Sequence, residues 1–164
     1  MPVTGRTVLQ GGRAKAYRPL AAGRRRVALA AFLEAYDRGD AFLAHELLEP
    51  AWMGTADAPE RDLYQGLIKL AAAEVHAVRG NPLGEGKNLR GARVRLAGAT
   101  LAAGHGGPDG GLDLERLLGR IDDRLAELGL AELGGAELRP AELGPGAATP
   151  AERAGPRVSL PRKA

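Results

Sequence analysis

Apolar residues recur at three- and four-residue spacing in five stretches of this chain, each framed by local helix start and stop signals. Leu29, Phe32, Leu33 and Tyr36 mark one face of a first helix, predicted over residues 27–38 with Gly39 as its stop. Three consecutive arginines, Arg24 to Arg26, would oppose the helix macrodipole, so the start is expected at or after Arg26. Asp40 is placed to cap a second helix running to about Trp52. Pro59, followed by Glu60 and Asp62, opens a third that runs to Arg79 and stops at Gly80. Asn81-Pro82 repeats the cap-then-proline signal and opens a fourth, with Leu89, Ala92, Leu96, Ala99 and Leu101 inward and Gly84, Gly86 and Gly91 weakening its first turns. After a glycine-rich loop over residues 104–111, Asp113 introduces a fifth, with Leu114, Leu117, Leu118, Ile121, Leu125 and Leu128 on its apolar side. No parallel sheet is indicated. The pattern predicts an all-α fold, a small bundle of about five helices in which the second and third form a hairpin.

Charge divides the chain differently from hydropathy. Residues 1–26 carry seven basic groups and no acidic one, residues 27–133 have a balance of −6, and residues 134–164 one of +2. The body is therefore acidic and the arms are basic. The expected organisation is a flexible basic leader over 1–23, a helical domain over 24–130 and a Gly/Pro-rich tail over 131–164. Ala-Glu-Leu occurs four times between Ala126 and Leu143, but glycine and proline interrupt the later copies, which read as low-complexity tail. Val158 and Leu160 alternate with polar residues and could form an extended strap across the body.

Composition excludes several chemistries. With no cysteine there is no disulfide framework and no thiolate nucleophile or metal ligand. The single serine, Ser159, leaves a serine-based triad without its nucleophile in the domain. The longest uncharged apolar run, residues 27–33, falls far short of the roughly 20 residues of a membrane-spanning helix. A soluble cytoplasmic protein without membrane partners is expected. Nucleic-acid contact through the basic leader is a minor alternative, since no aromatic residues interleave with its charges, and homo-oligomerisation stays open.

The second helix holds the unusual constellation. Phe42, His45, Leu48, Glu49 and Trp52 fall on one side of it, so an imidazole and a carboxylate are expected to face the core together. His45 and Glu49 are one turn apart and can bond each other or converge on a third object. In the functional reading they hold a divalent metal ion, completed by water and another side chain. In the structural reading they form a buried hydrogen-bond network closed by Gln65 of the third helix. Glu46 points about 100° away and reads as a surface residue or a general base. In a symmetric hairpin His45 lies level with Gln65 or Gly66. His76 then packs against the first helix near Glu34 rather than beside His45.

The segment from Ala44 to Trp52 resembles the His-x-x-x-Glu-x-x-Trp/Tyr signature of the bacterial and archaeal family called domain of unknown function 309. Tyr64 to Ala73, followed by His76, Gly80 and Asn81, is similar to that family's second block, and the resemblance spans roughly residues 24–128. It implies a small helical cytoplasmic fold and a metal-binding role for His45 and Glu49. Lys69 and Glu74 depart from it, standing where the family more often has glutamine and an apolar residue. The expected function is that of a helical protein with a divalent-metal site, hydrolytic in its enzymatic version. The alternative is a non-catalytic interaction module. Trp52, Gln65 and His76 are the candidate supporting residues.

Overall fold

The computed structural model describes residues 7–10, 13–103, 109–134 and 156–164, with side chains from Tyr17 onward except at 101–103 and 130–134. Five helices build the domain: α1 (Ala22–Asp37), α2 (Ala41–Met53), α3 (Ala58–Val78), α4 (Pro82–Ala103) and α5 (Leu114–Gly134). The molecule is all-α apart from a two-stranded antiparallel hairpin in the leader, β1 (Thr7–Gln10) and β2 (Arg13–Ala16), pairing Thr7 with Ala16 and Gln10 with Arg13. That hairpin was not expected. Its sequence cue is Gly11-Gly12, a pair favoured in two-residue hairpin loops.

Local capping explains most helix starts. Asp40 accepts Leu43 N–H at 3.1 Å, Asp57 accepts Glu60 N–H at 3.0 Å, Asn81 accepts Gly84 N–H at 2.9 Å and Asp113 accepts Arg116 N–H at 3.1 Å. The first helix departs from expectation, because α1 begins at Ala22 and takes all three arginines into its opening turns. The cost to the macrodipole is offset by a tertiary ion pair. Arg25 Nε donates to Glu60 Oε1 of α3 at 2.5 Å, Arg25 Nη2 donates to Oε2 at 3.3 Å, and Tyr64 Oη donates to the same carboxylate at 2.7 Å. The fifth helix also runs past the expected Gly129 to Gly134, carrying the second Ala-Glu-Leu copy.

Consecutive helices pack on one another, and α3 is the central one, between α2 and α4. The core is aliphatic with a few rings: Leu29, Phe32 and Tyr36 of α1, Leu48 and Trp52 of α2, Tyr64, Leu67 and Leu70 of α3, Leu89 and Leu96 of α4, and Leu117 and Ile121 of α5. Glycines set the closeness of α3 and α4. A Cβ on Gly66 would lie 2.6 Å from Leu96 Cγ and 3.2 Å from the Leu96 nitrogen. On α4, Gly84, Gly91 and Gly98 recur every seven residues and lie under His76, Lys69 and Asp62, which recur every seven in the opposite direction on α3. Two of the glycines expected to weaken the fourth helix, Gly84 and Gly91, thus lie with Gly98 in the seam of an antiparallel helix pair, whereas Gly86 faces only Arg90 of its own helix.

The two arms are tied to the bundle. Leu20 N–H donates to Gly54 O at 3.0 Å, beside a turn where a Cβ on Gly54 would collide with Leu20 Cβ, so the leader crosses directly over that glycine. At the other end, residues 156–164 form the strap anticipated from Val158 and Leu160, both of which are buried. Tyr36 Oη donates to Val158 O at 2.8 Å, Leu112 and Arg162 form an antiparallel bridge, and Arg120 Nη1 donates to Ser159 Oγ at 2.6 Å. Arg157 brings its N–H to Glu74 Oε2 at 3.1 Å and its guanidinium to Oε1 at 3.5 Å. Glu74 is thus answered by the tail.

Candidate metal centre and adjoining cavity

The candidate site lies on the first turns of α2. Its helix is entered through Gly39, at φ 85°, and Asp40, which together turn the chain back from α1. The buried side chains of α2 are Ala41, Ala44, Leu48, Ala51 and Trp52. The inward face is therefore shifted toward the alanines, rotated roughly 70° from the expected face at 100° per residue. Three alanines let α1 and α3 approach closely, and the large Phe42 ring turns outward at 61% exposure. Leu48 and Trp52 are core residues as expected. His45 and Glu49 are not in the core but half-buried on its margin.

This rotation changes the chemistry. His45 Nδ1 lies 3.2 Å from Glu46 Oε1, so the carboxylate accepts the Nδ1 proton and Nε2 keeps its lone pair. Each of His45, Glu46 and Glu49 offers one ligand atom, and the three lie within 4.8 Å of one another. Glu46, expected as a surface residue, is indeed exposed, but it belongs to the cluster and orients the imidazole as a carboxylate partner does for a metal-binding histidine. The donor set, one imidazole and two carboxylates beside water, suits zinc, manganese or iron.

Neither supporting residue of α3 takes its expected place. Gln65 is half-buried and makes no hydrogen bond to His45 among the described residues. His76 does lie near His45: both line a cavity of about 150 Å³ with Phe42, Ala72, Val75 and Arg79. The symmetric register therefore does not hold, since Ala72, Val75 and His76 of the far half of α3 line one cavity with Phe42 and His45 from the early turns of α2. Glu34, the expected neighbour of His76, pairs with Arg38 instead. His76 Nδ1 lies 3.1 Å from Asn81 Nδ2. Arg79 and Asn81 are site residues the sequence reading did not assign, although both follow His76 within about a turn and a half.

A five-helix bundle with a half-exposed His-Glu-Glu cluster at one end of its α2–α3 hairpin defines a class of small helical protein with a candidate ligand site. Residues 29–86 match the family model described as Domain of unknown function (DUF309), so the resemblance seen in the sequence stands over that span. The match is shorter than the 24–128 anticipated and ends in the first turns of α4, yet it holds His45, Glu46, Glu49, Trp52, Gln65, His76 and Asn81. No curated protein and no solved structure matches the chain.

Proposed function

We propose that His45 and Glu49, with Glu46, hold a divalent metal ion and that the chain acts at this site as a metal-dependent hydrolytic protein. The observation that supports this reading is the approach of three ligand atoms to within 4.8 Å at a half-exposed position. Half-exposure matters because it leaves part of a coordination sphere open to water and substrate, as catalytic ions require. A bound ion would supply Lewis acidity toward a substrate oxygen. Glu46, exposed and bonded to His45 Nδ1, would hold the imidazole in place for that ion.

The test is titration of the full chain with Zn²⁺ by calorimetry and with Co²⁺ by visible absorption, repeated on His45→Ala and Glu49→Gln. One ion per chain is expected for the native protein, lost in both variants while helical circular dichroism is unchanged. Absence of binding by the native chain overturns the proposal. A non-catalytic interaction module is the second reading, favoured by the exposure of Phe42 beside the cluster. Metal-free native protein together with partner binding lost in Phe42→Ala would support it.

A further inference from the structure

The cavity beside His45 has a wall that metal chemistry leaves unused, formed by His76, Arg79 and three apolar side chains. The proton on His76 is placed by its neighbours. Asn81 Oδ1 accepts Gly84 N–H at 2.9 Å, so the amide nitrogen of Asn81 faces the imidazole and donates to Nδ1 at 3.1 Å. With Nδ1 accepting, the neutral ring carries its proton on Nε2. A Cβ on Gly84 would stand 2.5 Å from Nδ1 and 2.7 Å from Cγ, so that ring edge lies against α4. The opposite vertex, Nε2–H, turns away from α4. Arg79, one turn after Val75, makes no ion pair among the described residues. Phe42, Ala72 and Val75 complete the lining.

We infer that this cavity binds a small carboxylate. The His76 Nε2–H and the Arg79 guanidinium take its oxygens, and its apolar part rests on Phe42, Ala72 and Val75. A volume of about 150 Å³ gives room within the walls for about six heavy atoms, the size of benzene. A short-chain carboxylate fits both the size and the mixture of cationic and apolar wall, whereas bare phosphate leaves the apolar side empty. Glu46 and Glu49 repel an anion, and a divalent cation among them would reverse that effect. As a product, or the carboxylate end of a substrate, of the hydrolytic site the inference rests on the metal reading, but as a binding site it stands alone.

Sodium butyrate and inorganic phosphate are titrated into the full chain while the imidazole NMR signals of His45 and His76 are followed, once with EDTA and once with Zn²⁺. Butyrate is expected to shift the His76 signals saturably in EDTA and to bind more tightly with Zn²⁺. Arg79→Gln and His76→Gln are expected to weaken it about tenfold each, as loss of a hydrogen bond to a charged group does, and Glu49→Gln in EDTA to leave it unweakened. Arg79 is exposed, so its variant keeps the test valid if His76→Gln is destabilised. Butyrate binding without Zn²⁺ binding sustains the carboxylate site and removes the metal reading. Zn²⁺ binding with no butyrate response at His76 does the reverse, and phosphate binding as tightly as butyrate also overturns the carboxylate assignment.

Discussion

Glu60, Glu74 and Glu85 are carboxylates almost wholly removed from water, and each is met by an arginine from a distant part of the chain. Arg25 of α1 reaches Glu60, Arg157 of the strap reaches Glu74, and Arg124 of α5 grips Glu85 with contacts of 2.6 and 3.2 Å. Removing one member strands its partner. Glu60→Ala, which also deprives Tyr64 of its acceptor, is expected to cost about 3 kcal/mol in urea unfolding, the low end for a broken buried pair because Arg25 keeps some water contact. Glu74 differs in its balance. Burial raises its pKa, and the Arg157 N–H and guanidinium only partly counter this. The folded state thus holds the Glu74 proton more tightly than the unfolded chain does. The resulting stabilisation is complete below the ordinary carboxylate pKa and is lost as pH rises through the raised folded value. Glu74→Gln, which keeps an acceptor for Arg157 N–H, is expected to be at least as stable as the native protein at neutral pH. Its advantage should vanish below about pH 4, where unfolded glutamate is itself protonated. A variant less stable at neutral pH would show that the attraction of Arg157 outweighs burial.

Glycines carry opposite meanings at the scale of the helix, and the neighbouring element decides which. Gly66 of α3 is pressed against Leu96, so Gly66→Ala is expected to force α3 and α4 apart at a cost of about 1–3 kcal/mol. Gly119 of α5 has nothing within 4 Å of a Cβ, so Gly119→Ala is expected to stabilise by about 0.5–1 kcal/mol through helix propensity alone. Thermal melts of the two variants should move in opposite directions. Sequence shows both residues as interruptions of a helical pattern and gives no sign of the difference. It does show where the helices are, because caps such as Asp40, Asn81 and Asp113 act on their own backbone within three residues. The orientation of α2 about its axis was less legible. Ranking residues by apolarity put Phe42 inward, while packing preferred the three alanines that let neighbouring helices close.

Over the whole molecule, the strap joins the C-terminal segment to α1, α3 and the start of α5. Deleting residues 156–164 exposes the surfaces beneath Val158 and Leu160 and leaves Glu74 without Arg157. A loss of about 2–4 kcal/mol is expected, read as a lower urea midpoint, after the entropy of ordering the strap is set against the burial of its two apolar side chains. Tyr36→Phe isolates one link, the hydroxyl donated to Val158 O, and is expected to cost about 1 kcal/mol. A truncated chain as stable as the native one would show that the strap contributes nothing net to folding.

The amino-acid sequence by itself determined the helical class, the approximate extent of the helices, the acidic body between basic arms and the candidate pair His45 and Glu49, since periodicity, capping and charge are local properties. Tertiary structure alone decided that the pair sits on the margin of the core, that Glu46 joins it, and that His76 and Arg79 come to its side. Those outcomes depend on how α3 is set against α2 and how α2 rotates between its neighbours. Both are set by the packing of side chains distant in sequence, which no single helix records.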